Sequence, residues 1–137
     1  MKNLLCNDSL NLKLRQRMVK CYVWSVLLYG VEAWTLKVNV INRLEAFEMW
    51  IHRRMSRISW TKMISNTEVL RRANSNRELF TTIKLRKISY FGHVVRGTKY
   101  VVLQLVMKGK IEGRRGVGRR QHSWLRNIRD WTGMRGV

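Results

Sequence analysis

The chain has 137 residues, of which 45% are hydrophobic, and this length and apolar content suit one packed domain or slightly more. Its formal net charge is +20, from 28 Lys and Arg against 8 Asp and Glu, which predicts a polyanionic partner, while the apolar content excludes a disordered basic tail. The absence of proline is typical of helices joined by glycine and polar turns, so the sequence predicts an all-α fold of roughly five to six helices.

The cysteines and the apolar runs bear on the cellular compartment. Cys6 and Cys21 are too few for a disulfide framework, which favours a reducing compartment. The N-terminus turns polar too early for a signal peptide, and the longest apolar run, residues 22–31, has about half of the roughly 20 residues that a spanning helix needs. We therefore expect a nuclear or cytoplasmic chain that is not secreted and has no membrane partner.

The first predicted helix begins at a cap, Asp8 or Ser9, and ends near Tyr29, with Gly30 as its natural stop. Its second half, residues 22–30, is apolar nearly all round, which predicts that this half is buried. Such a helix docks its apolar end on a neighbour, and that neighbour can lie outside the chain. The pattern therefore suggests a fragment of something larger.

A second helix is predicted over residues 38–58, because its apolar residues recur at every third or fourth position. These apolar residues are Val40, Ile41, Leu44, Phe47, Ile51, Met55 and Ile58. Its opposite side holds Arg43, Arg53, Arg54 and Arg57, and arginines in the last turns complement the helix dipole. This pattern indicates an ordinary solvent-exposed basic face.

Four further helices complete the predicted bundle. Asn66 marks the capped start of a short helix that ends near Ala73, and a longer helix follows over residues 76–95. Residues 100–107 suit one more helix or, because of the YVV at their start, a strand, and we favour the helix. Ser123 can cap the last helix. A basic loop precedes that last helix.

The loop before the last helix combines glycine with dense positive charge. Glycine lets a backbone approach a ligand closely, and arginine forks match phosphate oxygens two at a time. A merely flexible linker needs no such cations, so we predict that the loop contacts the phosphates of RNA or DNA without reading bases. Cations on the flanking helices extend this predicted interface. The predicted nucleic-acid-binding residues are Lys84, Arg86, Lys87, Lys108, Lys110, Arg114, Arg115, Arg119, Arg120 and Arg126.

The carboxylates show no arrangement that predicts catalysis. Magnesium-dependent phosphoryl transfer needs clustered acids, yet the two aspartates, Asp8 and Asp130, lie at opposite ends of the chain. Glu45 and Glu48 share a helix with arginines, which indicates surface ion-pair members. We therefore expect no enzyme activity, no cofactor and no small-molecule substrate. The histidines, which are scattered singly and predict no metal site, are His52, His93 and His122.

The six tryptophans raise the question of base stacking, because aromatic faces between cations commonly hold single strands. Trp24, Trp34 and Trp50 lie in or beside apolar helix faces, which favours core packing. Trp60 and Trp124 stay open as base-stacking candidates, although the apolar stripe around Trp124 favours core packing for it too.

Three ordered blocks of the chain resemble one protein family. They are RMVKCYVWSVLLYGVEAWTL at 17–36, RLEAFEMWIHRRMSRISW at 43–60, and the pair YFGHVVR at 90–96 with GRRGVGRRQHSWLRNIRDWTG at 113–133. The match extends over nearly the whole chain, and the ordered blocks resemble the C-terminal region of the endonuclease–reverse transcriptases of RTE-type non-LTR retrotransposons. The chain departs from this family at Val31, where a cysteine is common, and at Ser56, where an apolar residue is common.

The resemblance implies a helical polymerase thumb and a following basic segment, which in the family grip nucleic acid during target-primed reverse transcription. It divides the chain into a thumb-like part at 1–60, a basic helical part at 61–107, and the Gly/Arg-rich loop with the last helix at 108–137. In the family the endonuclease and polymerase domains precede this region and carry the catalysis. The missing polymerase domain is therefore an implied partner.

The sequence thus predicts a non-catalytic nucleic-acid-binding remnant of a retrotransposon reverse transcriptase. Two alternatives stay open. One is a protein-interaction module used by the host, which binds its partner through apolar helices. The other is a truncated fragment that has no function and does not fold alone.

Overall fold

The computed structural model describes residues 5–6, 10–107, 117–118 and 123–134, and these residues form helices and turns without a β-strand. Six helices account for the described structure, which confirms the predicted all-α fold. In chain order they are α1, with the consecutive segments Leu12–Met18, Val19–Trp24 and Ser25–Leu27, then α2 (Val38–Met55), α3 (Asn66–Ala73), α4 (Leu79–Arg96), α5 (Val101–Met107) and α6 (Trp124–Thr132). Short 3₁₀ turns occupy Val31–Ala33, Trp60–Lys62 and Thr98–Tyr100.

Contacts within the chain group the residues into two compact units. Unit 1 comprises Met1–Tyr29 and Val38–Thr82, and unit 2 comprises Gly30–Lys37 and Ile83–Val137. The grouping is therefore not sequential, because the short stretch Gly30–Lys37 belongs with the C-terminal part of the chain. The helix α4 contributes residues to both units.

The first helix, α1, begins at a side-chain cap and contains an unusual middle segment. The side chain of Asn11 accepts a hydrogen bond from the Lys13 N–H at 3.2 Å, whereas the predicted caps, Asp8 and Ser9, lie outside the described residues. The middle segment is a π-helix, a rare form that widens the helical turn. The chain turns at Gly30, as predicted, with φ at +63°, a conformation that glycine adopts without steric penalty.

The second half of α1 is not buried, contrary to the prediction. Tyr22, Val26 and Tyr29 are strongly exposed, whereas Val19 and Leu28 are buried. A helix that is apolar on all sides buries only the side that its own unit covers. In the described part of the chain, the other side of α1 faces solvent.

The core of unit 1 packs α2 against both α1 and α3. Val19 of α1 packs with Ile51 and Met55 of α2. Met49, two positions before Ile51 and therefore on another side of α2, packs with Val69 of α3. Full burial of a side chain of this size contributes about 1.5–3 kcal/mol. The strong periodicity of α2 thus reflects its central place in unit 1.

The end of α2 lies at Met55, three residues before the predicted end, because the backbone reverses at Arg57 with φ at +53°. The Arg57 N–H donates to the carbonyl oxygen of Arg54 at 3.2 Å, and the Ile58 N–H donates to that of Arg53 at 2.9 Å. This pair of bonds ends many helices, usually with glycine at the reversing position. A residue with a Cβ in this conformation costs roughly 1–2 kcal/mol, so an arginine there is unexpected.

The short helix α3 has the predicted range but a different cap. The side-chain oxygen of Ser65, rather than Asn66, accepts the Glu68 N–H at 3.3 Å. The helix ends at Ala73 and is followed by a C-cap residue, Asn74, whose φ is +44°. The range agrees because serine and asparagine are both strong cap residues and differ here by a single position.

The start of α4 is capped by a carboxylate from α2. Glu48 is only 4% exposed, and its Oε1 accepts the N–H of Glu78 at 2.8 Å and that of Leu79 at 2.9 Å. A first helical turn leaves such N–H groups without intrahelical partners, and a carboxylate there also complements the helix dipole. The prediction that Glu48 is a surface ion-pair member is therefore wrong. Glu45, whose carboxylate lies 3.3 Å from Arg77, is one.

Unit 2 is held together by a buried amide. Asn127 of α6 accepts the Leu36 N–H through Oδ1 at 2.9 Å and donates from Nδ2 to the Leu36 carbonyl oxygen at 2.8 Å. The two bonds satisfy the backbone of a buried residue that belongs to no helix or strand. The predicted cap of α6 is confirmed, because the Ser123 side chain accepts the Arg126 N–H at 3.3 Å. Asn127 is thereby held on the inner side of a capped helix.

Candidate nucleic-acid interface

The basic loop lies almost wholly outside the described residues. The six loop cations of the predicted interface fall there, and their contact with phosphate stays a prediction. They are Lys108, Lys110, Arg114, Arg115, Arg119 and Arg120. Within the loop, the structure describes Val117 and Gly118, and the φ of Gly118, +132°, lies in a region that favours glycine.

Three more of the predicted residues lie at or near the surface of unit 2. Arg86 is exposed, with Nη1 3.7 Å from Glu32 Oε1, and Arg126 is exposed, with Nε 3.9 Å from Asp130 Oδ2. Exposed ion pairs of this kind contribute about 0–1 kcal/mol, so a phosphate can compete with the carboxylate for either arginine. Lys84 is half-buried, and its Nζ lies 5.7 Å from the centroid of a tryptophan ring in α6.

Lys87 is not available to phosphate, contrary to the prediction, because its side chain is fully buried in unit 2. Its Nζ donates to the carbonyl oxygen of Trp34 and, at 3.4 Å, to Asn127 Oδ1. The same ammonium group lies 4.9 Å from the centroid of the Trp124 ring and 5.6 Å from that of Trp131. Two indole rings and two oxygens thus replace water around this charge.

Burial lowers the pKa of Lys87 to about 8. A lysine with a lowered pKa binds fewer protons in the folded than in the unfolded state, so it makes folding stability rise as pH increases from about 8 towards 10.4. Across this window, the free energy of unfolding of the wild type should rise relative to that of the Lys87→Met variant by up to about 3 kcal/mol. Urea unfolding of both proteins along a pH series measures the gain.

The control for this titration is Lys99→Met, because Lys99 is exposed. The pH-dependent gain of the wild type should be larger relative to Lys87→Met than relative to Lys99→Met. Equal gains for the two comparisons would contradict a buried ammonium group at Lys87.

A second cationic surface, outside the predicted interface, lies in unit 1 at the end of α2. A cavity of about 470 Å³ there, which we call the Arg–Trp cavity, is lined by Trp50, Arg53, Arg54, Arg57 and Trp60, together with Cys6, Ile58 and Ser59. Arginine supplies forks that match phosphate oxygens, and tryptophan supplies rings on which bases stack. The cavity therefore combines the two kinds of group that hold a nucleic-acid strand.

Arg53 lines the cavity but is buried, contrary to the solvent-exposed position predicted for it. It is only 6% exposed, and its Nη2 donates to the carbonyl oxygen of Ile64 at 2.6 Å and to Asn66 Oδ1 at 3.1 Å. These bonds tie the end of α2 to the chain around the start of α3. The Arg53 guanidinium also lies 4.8 Å from the centroid of the Trp60 ring.

Arg54 and Arg57 carry the exposed charge of the cavity. The Arg54 guanidinium lies 5.6 Å from the Trp50 ring, and it forms no ion pair with a carboxylate among the residues that the structure describes. Arg57 donates to the carbonyl oxygen of Cys6. Both side chains thus line the cavity at the point where the chain reverses after α2.

The tryptophans separate into packed and exposed rings. Trp124, one of the two base-stacking candidates from the sequence, is packed in unit 2. Its Nε1–H donates to the Glu32 carbonyl oxygen at 2.7 Å. Trp60, the other open candidate, is 68% exposed. Trp34 and Trp50, for which core packing was predicted, remain partly exposed. Of the two open candidates, Trp60 is therefore the one with an accessible ring.

The Arg–Trp cavity was not predicted, because each of its residues, taken singly, is explained by an ordinary role such as core packing or an exposed basic helix face. A signal was nevertheless present in the spacing. Trp50 and Arg54 are four positions apart on α2, which places them on one side, and Arg57 follows two positions after the end of α2 at Met55. Trp60 follows the predicted end of that helix, so its ring returns to the same region.

Searches with family models, curated protein sequences and solved structures find no match to this chain. No helix among the described residues has the length and apolar character needed to cross a membrane. The same part of the chain contains no group of three or more His, Cys, Asp or Glu side chains placed to hold a metal ion. The candidate interface therefore rests on the charge and geometry of the chain itself.

Proposed function

We propose that this chain binds the backbone of RNA or DNA and catalyses no reaction on it. The observation that carries the proposal is the Arg–Trp cavity, where the exposed guanidinium groups of Arg54 and Arg57 accompany the exposed ring of Trp60. The net charge of +20 supports it, because a charge of this size attracts polyanions over long distances. The charge brings a strand to the surface, and the cavity holds it at a defined place.

The carboxylates of the described residues support binding rather than catalysis, because they serve structure. Glu48 caps α4, and the others form ion pairs with cations. These pairs are Glu32 with Arg86, Glu45 with Arg77, Glu68 with Arg71 and Arg72, Glu78 with Lys20, and Asp130 with Arg126. Hydrogen bonds from the two arginines lower the pKa of Glu68 to about 2. Metal-dependent phosphoryl transfer instead needs acids that converge on one metal.

We further propose that the chain derives from the thumb and basic segment of an RTE-type retrotransposon reverse transcriptase. The three arginines and two tryptophans of the Arg–Trp cavity lie within residues 43–60, one of the blocks that resemble this family, whereas Cys6, which also lines the cavity, lies outside that block. The polymerase domain is then a proposed partner, and the nucleus or cytoplasm is the proposed location. Polymerase and endonuclease coding sequence immediately upstream of Met1 would support this origin, and unrelated sequence there would count against it.

The salt dependence of binding tests the proposed function and the role of the loop. Neutralising Arg114, Arg115, Arg119 and Arg120 with glutamine should flatten the plot of log binding constant against log salt. Each lost phosphate contact removes about 0.7–0.9 from the slope, so four contacts remove about 3. Filter binding of a labelled nucleic acid over a salt series measures both slopes.

The matched control removes four other exposed cations, with Lys13, Arg17, Lys37 and Arg43 replaced by glutamine. It has the same net charge as the loop variant, so a smaller loss of slope assigns the contacts to the loop. Equal losses in the two variants would show that net charge alone matters, and a wild type that binds no nucleic acid would refute the proposal.

A further inference from the structure

The ring of Trp60 is the part of the Arg–Trp cavity that phosphate binding alone does not explain. It is 68% exposed, although the Arg53 guanidinium lies 4.8 Å from its centroid. Arg53 is held in place by the Ile64 carbonyl oxygen and Asn66 Oδ1. The ring therefore rests on a fixed cation and presents its remaining surface to solvent. An indole supported in this way is a stacking platform for another flat ring.

Trp50 differs from Trp60, because a second aromatic ring stacks on it and it is less exposed. The Phe47 ring lies 6.3 Å from it with an interplanar angle of 12°, and the Arg54 guanidinium lies 5.6 Å from its centroid. Trp50 therefore forms a wall of the cavity. A planar ligand has its open stacking surface at Trp60.

The charge beside this platform comes from Arg54 and Arg57, which are both exposed. The backbone of Arg57 has φ at +53°, a conformation that glycine adopts more readily than any residue with a Cβ. Met63 and Asn74 have the same conformation where helical segments end, so the backbone of Arg57 is explained by the end of α2. What points to a ligand is that two exposed guanidinium groups and an exposed indole line one cavity, which suits a ligand that joins a negative charge to a flat ring.

We propose that the Arg–Trp cavity binds one unpaired nucleotide of a single-stranded nucleic acid, with the base on Trp60 and the phosphate at Arg54 and Arg57. The volume of about 470 Å³ lies within the range of roughly 300–1,000 Å³ that is usual for small-ligand sites. A duplex keeps its bases stacked inside, whereas a single strand exposes them. The inference rests on the nucleic-acid binding proposed above and adds a preference for single strands that tolerates any base.

The test compares three probes of equal charge on the full-length chain. They are a homothymidine strand of roughly 10 nucleotides, an abasic strand of the same length, and a duplex with the same number of phosphates. Trp60→Leu should weaken binding of the homothymidine strand by about 5-fold to 150-fold, the range expected for one lost base stack. The affinities of the other two probes should stay unchanged. Fluorescence anisotropy at one salt concentration measures all three.

Two further variants separate the site from the fold and from general aromatic effects. Tyr29→Leu removes an aromatic side chain that is 85% exposed but does not line the cavity, so it should leave all three affinities unchanged. Arg57→Gly should keep or raise the melting temperature, because glycine suits φ at +53°, yet weaken binding of all three probes. Weaker binding by a protein that is as stable as the wild type cannot be ascribed to unfolding.

The outcomes distinguish this inference from the proposed function. If Trp60→Leu weakens binding of all three probes equally, the ring only shapes a phosphate site. The nucleotide inference then fails, while nucleic-acid binding stands. If Arg57→Gly changes no affinity, the assigned phosphate position is overturned. If the wild type binds none of the probes, the proposed function itself fails.

Discussion

Replacing Glu48 with alanine should lower the free energy of unfolding by about 3–5 kcal/mol. Hydrogen bonds to a charged group contribute about 1.5–3 kcal/mol each, and Glu48 accepts two of them from the start of α4. The side chain is 4% exposed, so water cannot easily replace the lost carboxylate. The N–H groups of Glu78 and Leu79 would then lack partners in a buried place. Urea unfolding monitored by circular dichroism measures the loss.

The control is Glu45→Ala, three positions earlier on the same helix. Glu45 forms an exposed ion pair with Arg77, so its removal should cost about 1 kcal/mol or less. Glu48→Gln keeps an acceptor without the charge and should fall between the two alanine variants. Equal losses for Glu45→Ala and Glu48→Ala would contradict the buried cap.

Replacing Asn127 with alanine should cause a loss of similar size, about 3–5 kcal/mol, in unit 2. The substitution leaves the N–H and the carbonyl oxygen of Leu36, which is itself buried, without hydrogen-bond partners. Each buried group without a partner costs about 1–3 kcal/mol. The Lys87 ammonium group loses an oxygen partner as well. Urea unfolding monitored by tryptophan fluorescence is a suitable measurement, because Trp124 packs in the same unit.

Two variants control for this result. Asn42→Ala removes the same kind of side chain from an exposed position of α2 and should change stability by no more than about 0.5 kcal/mol. Asn127→Asp keeps an acceptor for the Leu36 N–H but loses the donor to its carbonyl oxygen, so an intermediate loss is expected. An Asn127→Ala variant as stable as Asn42→Ala would refute the assigned role.

The helices were predictable because their signals are local. The periodicity of residues 38–58, the serine cap of α6 and the glycine after α1 each act within a few positions of the sequence. The buried polar contacts were not predictable in this way. Glu48 meets a partner 30 residues away, and Asn127 meets one 91 residues away. No local pattern reveals which distant backbone group such a side chain will satisfy.

The candidate site was predictable in kind but not in position. The net charge predicts a polyanionic partner, yet it does not show which cations reach the surface. Arg86 and Lys87 are adjacent in sequence, and one is exposed while the other is buried. Lys87 lies four positions after Ile83 and four before Phe91, which are both buried, so the helical period does place it on the apolar stripe. A cation inside such a stripe is better interpreted as internal.

The bonds between Leu36 and Asn127 also bear on the order in which the chain folds. During synthesis at roughly 5–20 residues per second, Leu36 waits roughly 5–20 s for a partner made 91 residues later. The bond between Glu48 and Leu79 spans only 31 residues, so unit 1 can close while the rest is still being made. In refolding from denaturant, closing the longer loop makes unit 2 the slower to form. Leu36, like Glu32, whose carbonyl oxygen accepts a hydrogen bond from Trp124 at a separation of 92 residues, therefore gains its partner only after α6 has been made.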